Sequence, residues 1–234
     1  MSNKPEWWFN EFQHFGVDFD DTEQVENYDS RQGTNLDAER ELAKRLGIGS
    51  GKRVIEFGPG TGALSRACAL EGADIISVDI SQAMLNYSRQ SSESLGIQDS
   101  MAFIRSGFLS YEHNGDKVDF IVTQFAFHHL PDFWKAIALR KMNHILKVGG
   151  KLYLRDVVYS FDSDDSQQAI DNWIATVASD DNDGFSREEF EAHVRDEFST
   201  FGWIIEGLLQ RTGFKIEKAE YTAPTYASYL CIKT

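Results

Sequence analysis

Residues 54–62 read Val54-Ile55-Glu56-Phe57-Gly58-Pro59-Gly60-Thr61-Gly62. The first four have the apolar character of a short buried strand, interrupted by one acid. Three glycines follow at every second position, so the backbone can adopt positive φ angles and approach a ligand closely. A helical pattern begins after Gly62, and its N-terminus would point at that ligand. The stretch therefore predicts a nucleotide-type site at the carboxyl end of a first strand.

Strands and helices alternate on both sides of this turn. A helix capped by Asn35 ends at Gly47 and precedes the first strand, 53–57. The later predicted strands cover 74–79, 101–105, 118–123 and 151–158, with helices at 62–70, after Ser81 and at 132–146. This rhythm is typical of a parallel sheet with helices on both faces. Strands 215–221 and 226–232 around Pro224 predict a closing antiparallel hairpin, which gives a Rossmann-like, seven-stranded mixed sheet.

The length of 234 residues fits one domain built from four parts. Aromatic residues at helical spacing over 5–15 predict an N-terminal helix, and we expect 1–34 to form lid helices. The alternating core covers 35–160. An acidic, helical cap covers 161–201, and a final helix and the closing hairpin cover 202–234.

The charge of the chain is strongly negative, with 37 acids against 23 bases and a formal charge of -14. Seven acids and one base lie in 1–26, and twelve acids and two bases lie in 161–200. Such a surface repels phosphate backbones, so we expect neither nucleic acid nor membrane as a partner. No apolar run approaches the roughly 18 residues of a membrane span, and no signal-peptide pattern is visible. The two distant cysteines, Cys68 and Cys231, indicate a reduced, cytoplasmic protein.

The spacing of the glycines separates two kinds of nucleotide site. A dinucleotide fingerprint is G-x-G-x-x-G, whereas this turn is G-x-G-x-G and is preceded by Glu56. A carboxylate there repels a pyrophosphate and suits a ligand that carries an ammonium and a sulfonium, which disfavours an NAD-binding protein. At the end of the second strand, Asp79 can accept both ribose hydroxyls, while Ile80 and Met84 can pack on adenine. The structural alternatives are a capping acid for Asp79 and ordinary core for Met84.

Four segments together resemble the successive motifs of class I S-adenosylmethionine (SAM)-dependent methyltransferases. They are Glu56-Phe-Gly-Pro-Gly-Thr-Gly62, Asp79-Ile-Ser-Gln-Ala-Met-Leu85, Asp119-Phe-Ile-Val-Thr-Gln-Phe-Ala-Phe-His-His-Leu-Pro131 and Ile145-Leu-Lys-Val-Gly-Gly-Lys-Leu152. The resemblance covers roughly residues 25–160, and the chain is similar to UbiE-like bacterial enzymes that methylate small molecules. It implies SAM as cofactor, S-adenosylhomocysteine as product and a neutral or cationic small molecule as acceptor.

The resemblance also implies roles for individual residues. Glu56 would face the SAM amino group, and Gln124 would offer it a backbone carbonyl. Tyr28 would fold over the cofactor from an N-terminal helix. The remaining residues implied to surround the cofactor are Gly58, Pro59, Gly60 and Gly62 at the methionine part, Asp79 at the ribose, and Ile80 and Met84 at the adenine.

One departure from the family pattern concerns the adenine edge. Family members commonly carry an acid after the third strand that takes the adenine amino group, but this chain has Gly107 at that place. Ser106 is the expected substitute, and Phe108 can offer its backbone N–H to the ring. The departure affects this contact and leaves the cofactor assignment in place.

The acceptor is expected at the end of the fourth strand, where His128 and His129 follow each other. SAM is already activated, so a general base is needed only for an acceptor that arrives protonated. His128 is our candidate for that base; the structural alternative is that one histidine packs into the fold. Asp156 is more typical of a hydrogen-bonding scaffold residue. No metal site is expected, since the acidic loop near Asp181 and Asp183 lacks two ligands of a calcium loop.

Two other functions compete with methylation of a small molecule. The first is an RNA-modifying methyltransferase, which the negative charge disfavours. The second is a SAM-binding module without catalysis, for which Gly107 is the one hint. The oligomeric state and the acceptor atom (O, N, C or S) stay open at this point.

Overall fold

The computed structural model describes residues 4–13, 25, 28–29, 31–32, 34–178 and 184–234. Its helices are α1 (Leu36–Leu46), α2 (Ala63–Leu70), α3 (Gln82–Ser94), α4 (Asp132–Ile145), α5 (Ser166–Val177), α6 (Arg187–Asp196) and α7 (Gly202–Arg211). Its strands are β1 (Arg53–Phe57), β2 (Asp74–Asp79), β3 (Met101–Arg105), β4 (Val118–Gln124), β5 (Leu146–Tyr159), β6 (Thr200–Phe201), β7 (Phe214–Ala223) and β8 (Tyr226–Lys233). None of these helices has the length and hydropathy that a bilayer crossing requires.

The main sheet has the strand order β3-β2-β1-β4-β5-β8-β7. The first five strands are parallel, and β8 lies antiparallel to both β5 and β7. The predicted Rossmann-like mixed sheet with a closing hairpin is therefore confirmed. One short strand was not predicted: β6 pairs with the end of β5 and fixes the chain where it returns from the cap.

Two apolar layers cover the sheet. On one face, Ile55 and Ile121 pack in a cluster that includes residues of α4 and α7. On the other face, Val54 and Val122 pack with residues of α1 and α2. Successive strand residues thus enter opposite layers, as the alternation of a pleated strand requires. The core sits on both faces of the sheet and holds the carboxyl ends of β1, β2 and β4 side by side.

The N-terminal segment departs from the prediction. Residues 5–15 were expected to form a helix, but over 4–13 the chain forms two turns, with Trp8 N donating to Pro5 O and Gln13 N to Asn10 O. The aromatic side chains pack on the body of the protein instead: Trp8 lies 4.8 Å from Trp134 between ring centroids. Tertiary packing of the aromatic residues therefore overrides the helical spacing. Helical backbone is present further on, at Val25, Tyr28 and Arg31.

The glycine turn after β1 is packed too tightly for any side chain at two positions. Gly58 has φ +64°, and a Cβ there would lie 2.3 Å from the Cβ of Ala126. Gly62 has φ +82°, and a Cβ there would lie 2.0 Å from Ser88 Oγ on α3. The turn is therefore fixed between the end of β4 and α3, which sets the position of the cleft described below.

A buried polar group lies directly beneath this turn. Glu56 is 3% exposed, and its carboxylate accepts a hydrogen bond from Ser65 Oγ, which lies 2.8 Å from Ser77 Oγ. Burial raises the pKa of Glu56 to about 8, against the smaller opposing effect of the hydrogen bond from Ser65. A neutral Glu56 is thus favoured when the protein folds.

We predict that Glu56→Gln changes how stability depends on pH. The folded pKa of Glu56 lies above its unfolded value, so its stabilising contribution is complete below about pH 4.5 and is lost as the pH rises through about 8. The variant lacks this loss. Between pH 5 and pH 9 the wild type should therefore lose roughly 4 kcal/mol of its free energy of unfolding relative to the variant.

Urea denaturation of the cofactor-free protein at several pH values measures this difference, with Glu93→Gln, on the exposed side of α3, as the matched control. A constant offset between wild type and Glu56→Gln across the pH range would contradict the prediction.

Candidate functional site

A cleft opens at the carboxyl ends of β1, β2 and β4, and we call it the glycine-turn cleft. It is lined by Glu11, Gln13, Tyr28, Phe57, Gly58, Gly60, Val78, Asp79, Ile80, Met84, Ser106, Gly107, Phe108, Phe125, Ala126, His129 and Leu130. Nine of the predicted cofactor residues are among them, namely Tyr28, Gly58, Gly60, Asp79, Ile80, Met84, Ser106, Gly107 and Phe108. The structure therefore brings together residues from six separate stretches of the sequence.

Asp79 is held at the end of β2 by the backbone around it. Its Oδ2 accepts from Gly60 N at 3.2 Å, and its Oδ1 accepts from Ser81 N at 2.8 Å. Ser81 in turn caps α3 through its hydroxyl, which accepts from Met84 N. These contacts fix the carboxylate at the wall of the cleft, with Ile80 and Met84 beside it.

Tyr28 covers the cleft from the N-terminal segment. A Cβ at Gly60 would lie 3.5 Å from the Tyr28 ring, so the ring stands directly over the turn. Burial raises the pKa of Tyr28 to about 12, and its hydroxyl therefore stays protonated at neutral pH. The hydroxyl also accepts from Gln32 Nε2 at 3.2 Å.

Four predicted cofactor residues lie outside the wall of the cleft. The Glu56 side chain is turned to Ser65 beneath the turn, and Gly62 packs on α3. Pro59 lies within the turn, and Gln124 donates through Nε2 to Glu39 Oε2 at 3.2 Å. The predicted contacts of Glu56 and of the Gln124 carbonyl with an ammonium group stay predictions.

Glu11 of the N-terminal segment lies at Gly107, where the family resemblance leads us to expect an acid. The Glu11 carboxylate accepts from Leu109 N and Ser110 N, both at 2.7 Å. It lies against Gly107, where a Cβ would come within 2.4 Å of Glu11 Oε2. Ser106, the expected substitute, contacts Ser110 Oγ at 2.8 Å. The sequence did not indicate Glu11, because its partner loop lies far away in the chain.

A second cavity adjoins the cleft, and we call it the aromatic chamber. Its volume of about 310 Å³ is in the range of small-molecule sites. It is lined by Tyr28, Gln32, Phe125, His128, His129, Arg155, Val157, Trp173, Phe185, Glu189, Phe190, His193, Glu197, Thr222 and Tyr226. Tyr28, Phe125 and His129 line both cavities, so the two meet at these three side chains.

Phe125 has an unusual backbone at this junction. It is the one non-glycine residue with positive φ, +50°, among the residues that the structure describes. Its N–H donates to Arg155 O at 2.8 Å, and the Arg155 guanidinium lies 4.9 Å from the ring centroid. Strained backbone is found preferentially at functional sites, and here it directs an aromatic ring between the two cavities.

His128 lies between two buried carboxylates. Its Nδ1 is hydrogen-bonded to Asp156, and its Nε2 lies 3.1 Å from Glu197 Oε2. Burial alone would lower the pKa of His128, but the two carboxylates outweigh it and raise that pKa to about 10. The pKa of Asp156 and that of Glu197 are held low by the same contacts, although burial opposes this. The predicted catalytic role of His128 stays a prediction.

His129 has the opposite electrostatic environment. Burial lowers its pKa to about 3, and the neighbouring charge of His128 acts in the same direction. The two imidazole rings lie 4.3 Å apart between centroids. The neutral imidazole of His129 therefore borders both cavities, whereas the charged imidazole of His128 borders the chamber alone.

The cap closes the chamber and is tied to the N-terminal segment. Arg31 donates to both carboxylate oxygens of Glu189 at 2.6 and 2.7 Å and to Gly184 O at 3.2 Å. Its guanidinium also lies 4.3 Å from the Phe185 ring centroid. The predicted acidic loop at 181–183 lies outside the described residues. Trp173 and Phe185 follow from the aromatic residues of the acidic cap as apolar lining, whereas no sequence pattern indicates His193 or Glu197 as chamber residues.

Comparisons with known proteins agree with this geometry. Residues 54–150 match a family described as a methyltransferase domain. The chain is 28% identical over 163 residues to an uncharacterised methyltransferase of Bacillus mycoides strain KBAB4, covering 70% of this chain and 69% of the relative. It is 30% identical over 147 residues to an uncharacterised methyltransferase of Geobacillus sp. strain WCH70, covering 63% of this chain and 66% of the relative.

Solved structures share the fold at lower sequence identity. A SAM-dependent methyltransferase from Aquifex aeolicus has a TM-score of 0.65 at 17% identity, covering 92% of this chain and 99% of that one. Magnesium protoporphyrin IX methyltransferase from Synechocystis PCC 6803, solved with bound S-adenosylhomocysteine, has a TM-score of 0.63 at 17% identity, covering 96% and 91%. With the ordered motifs, the cleft and these relatives, the chain belongs to the methyltransferases, and it has the fold of SAM-dependent methyltransferases.

Proposed function

We propose that the protein transfers the methyl group of SAM to a small molecule bound in the aromatic chamber. The observation that carries this proposal is the junction of the two cavities at Tyr28, Phe125 and His129. A cofactor in the glycine-turn cleft would direct its methyl group to this junction. An acceptor in the chamber would approach from the opposite side, as in-line transfer requires.

Methyl transfer depends more on aligning the acceptor with the methyl carbon of SAM than on activating either molecule. A lone pair of the acceptor forms a bond to the methyl carbon, while the sulfur–methyl bond breaks and leaves its electron pair on sulfur. The sulfonium becomes the neutral thioether of S-adenosylhomocysteine. An acceptor that arrives protonated must also lose a proton. His129, which borders both cavities, is the side chain placed to accept that proton, because its imidazole is neutral whereas that of His128 is charged.

Different residues of the cleft would bind different parts of the cofactor. We assign the ribose hydroxyls to Asp79, the adenine faces to Ile80 and Met84, and the methionine part to the glycine turn under Tyr28. Glu11 is our addition to this set. Its carboxylate lies where the family's adenine-edge acid would lie, so we assign to it the adenine amino group.

The shape and charge of the chain favour a small acceptor over RNA. The chamber is enclosed by aromatic side chains of the cap, and both the cap and the N-terminal segment are strongly acidic. A polyanion would meet repulsion at this entrance, whereas a neutral or cationic small molecule would not. A cytoplasmic location, where SAM and metabolites are both present, fits the same proposal.

We expect methyl transfer from labelled SAM to a component of a small-molecule metabolite extract, and none to total RNA. The measurement is the transfer of label to each pool with the full chain, with Asp79→Ala as the inactive control. Labelled RNA, or RNA binding that weakens with salt, would overturn the small-molecule assignment. Tight SAM binding without turnover on any pool would favour a SAM-binding module.

We predict that Glu11→Ala weakens SAM binding about tenfold, because a charged hydrogen bond to the adenine amino group contributes roughly 1.5 kcal/mol. Titration calorimetry measures the dissociation constant. Asp79→Ala is expected to weaken binding at least as much. Glu6→Ala, an exposed acid of the same segment, is the matched control.

An unchanged dissociation constant for Glu11→Ala would contradict this assignment, provided that Asp79→Ala weakens binding in the same buffer.

The Arg31 contacts support a lid formed by the N-terminal segment and the cap together. Arg31 is 17% exposed at its side chain, and its partners Glu189 and Phe185 belong to the cap. Tyr28, one helical turn earlier, covers the cleft. A ligand that holds Tyr28 therefore also stabilises the attachment of the cap, and closure of this kind excludes water from the junction.

We predict that Arg31→Ala weakens the protection that S-adenosylhomocysteine gives to the cap against limited proteolysis. In the wild type the ligand should slow cleavage within 161–200 several-fold, and in the variant it should have a much smaller effect. Arg31→Lys keeps one charge but loses the bidentate contact and the stacking, so we expect an intermediate result. Arg195→Ala, an exposed arginine of α6, is the control.

Equal cleavage of the wild type with and without ligand would contradict the lid.

A further inference from the structure

We propose that His128, His193 and Glu197 form a binding site for a divalent cation of the zinc class in the wall of the aromatic chamber. Among the described residues, one candidate ligand atom of each lies within 4.8 Å of the other two. The evidence for cation binding is independent of the function proposed above. Only the use of the cation in methylation rests on that function. No local sequence pattern indicates the site, since the ligands come from distant segments.

The three ligand atoms converge from two elements. His193 and Glu197 are four residues apart at the end of α6, which places them on one face. His128 reaches the same point from the turn after β4. Glu197 Oε2 lies 2.5 Å from His193 Nδ1 and 3.1 Å from His128 Nε2. Zinc bonds of about 2.0–2.2 Å separate neighbouring ligand atoms by three to four Å, so small side-chain rotations suffice.

Each imidazole is oriented by a partner on its other nitrogen. His128 Nδ1 is bonded to the Asp156 carboxylate, and Asp156 also accepts from the His128 backbone N–H at 2.9 Å. His193 Nε2 lies 2.8 Å from Ser199 Oγ. These contacts leave His128 Nε2 and His193 Nδ1 facing the same carboxylate. Metal-binding histidines are held in this way, with the distal nitrogen bonded to a carboxylate or a hydroxyl.

The carboxylate of Glu197 faces two imidazole nitrogens in a largely buried place. The Glu197 side chain is only 10% exposed, and that of His128 only 8%. Among the described residues no donor makes an aligned hydrogen bond to the buried Glu197 Oε2, although two imidazole nitrogens lie close to it. A cation shared with both rings would bind this oxygen and the two facing nitrogens at once.

The donor set selects the type of cation. Two imidazoles and one carboxylate suit zinc, cobalt or ferrous iron, whereas calcium and magnesium prefer sites made of oxygen alone. Three protein ligands leave a fourth position open, and the chamber is the space beside it. We therefore infer an acceptor with a hydroxyl or thiol that enters this position. Its proton would pass to solvent water, and the resulting anion would attack the methyl carbon.

The competing explanation is a cation-free ion-pair cluster, in which a protonated His128 bridges Asp156 and Glu197 to hold the cap. Cobalt(II) separates the two, because it replaces zinc in such sites and acquires visible absorption when imidazoles bind it. We expect the chelator-stripped full chain to bind one cobalt ion with this absorption. His193→Ala and Glu197→Gln should weaken binding at least about 100-fold, and Asp156→Asn about tenfold. The exposed His144→Ala should leave it unchanged.

Two results would overturn the site: no cobalt binding by the wild type, or binding that persists unchanged in both His193→Ala and Glu197→Gln. Calorimetry with S-adenosylhomocysteine checks that each variant is folded. If His193→Ala does not fold, Glu197→Gln decides the matter, because it keeps the size of the side chain. Cobalt binding without any SAM binding would refute the proposed function and leave the metal site intact.

Discussion

The contact between Gly58 and Ala126 is the constraint on which the rest of the site depends. It brings the turn after β1 against the chain that leaves β4, at a distance that no side chain at position 58 would permit. Because β1 and β4 are neighbours in the sheet, this contact closes one side of the cleft. It also fixes the position at which the chain leaves β4 and continues to Phe125. The strained backbone of Phe125, the two histidines and the chamber all follow from that point.

Charge is distributed so that each cavity receives a different environment. The cleft has Asp79 and Glu11 on its wall, both held by backbone N–H groups, which suits a ligand that offers hydroxyls and an amino group. The chamber has aromatic rings on one part of its wall and the cluster of His128, His193 and Glu197 on another. Glu11 in the cleft and His128 in the chamber both bond groups that are distant in sequence, so the two cavities depend on the complete fold.

The sequence predicted the core of this arrangement because its signals are local. Asn35, Ser81 and the glycines mark where elements begin and end, and the apolar strands specify a parallel sheet. The prediction failed at 4–13, where packing on Trp134 replaces the helix. It also missed Glu11, His193 and Glu197. Their roles arise from contacts with loops that lie far away in the chain, and no local pattern indicates such contacts.

The position of the N-terminal segment has a kinetic consequence. Glu11 and Tyr28 lie over the cleft, and Arg31, just beyond them, holds the cap of the chamber. Cofactor and acceptor would therefore enter and leave through the same entrance, which opens when the N-terminal segment moves. An enzyme built in this way would release both products only after the same opening event. A substitution in the cap that alters acceptor choice would then also alter the rate at which the spent cofactor departs.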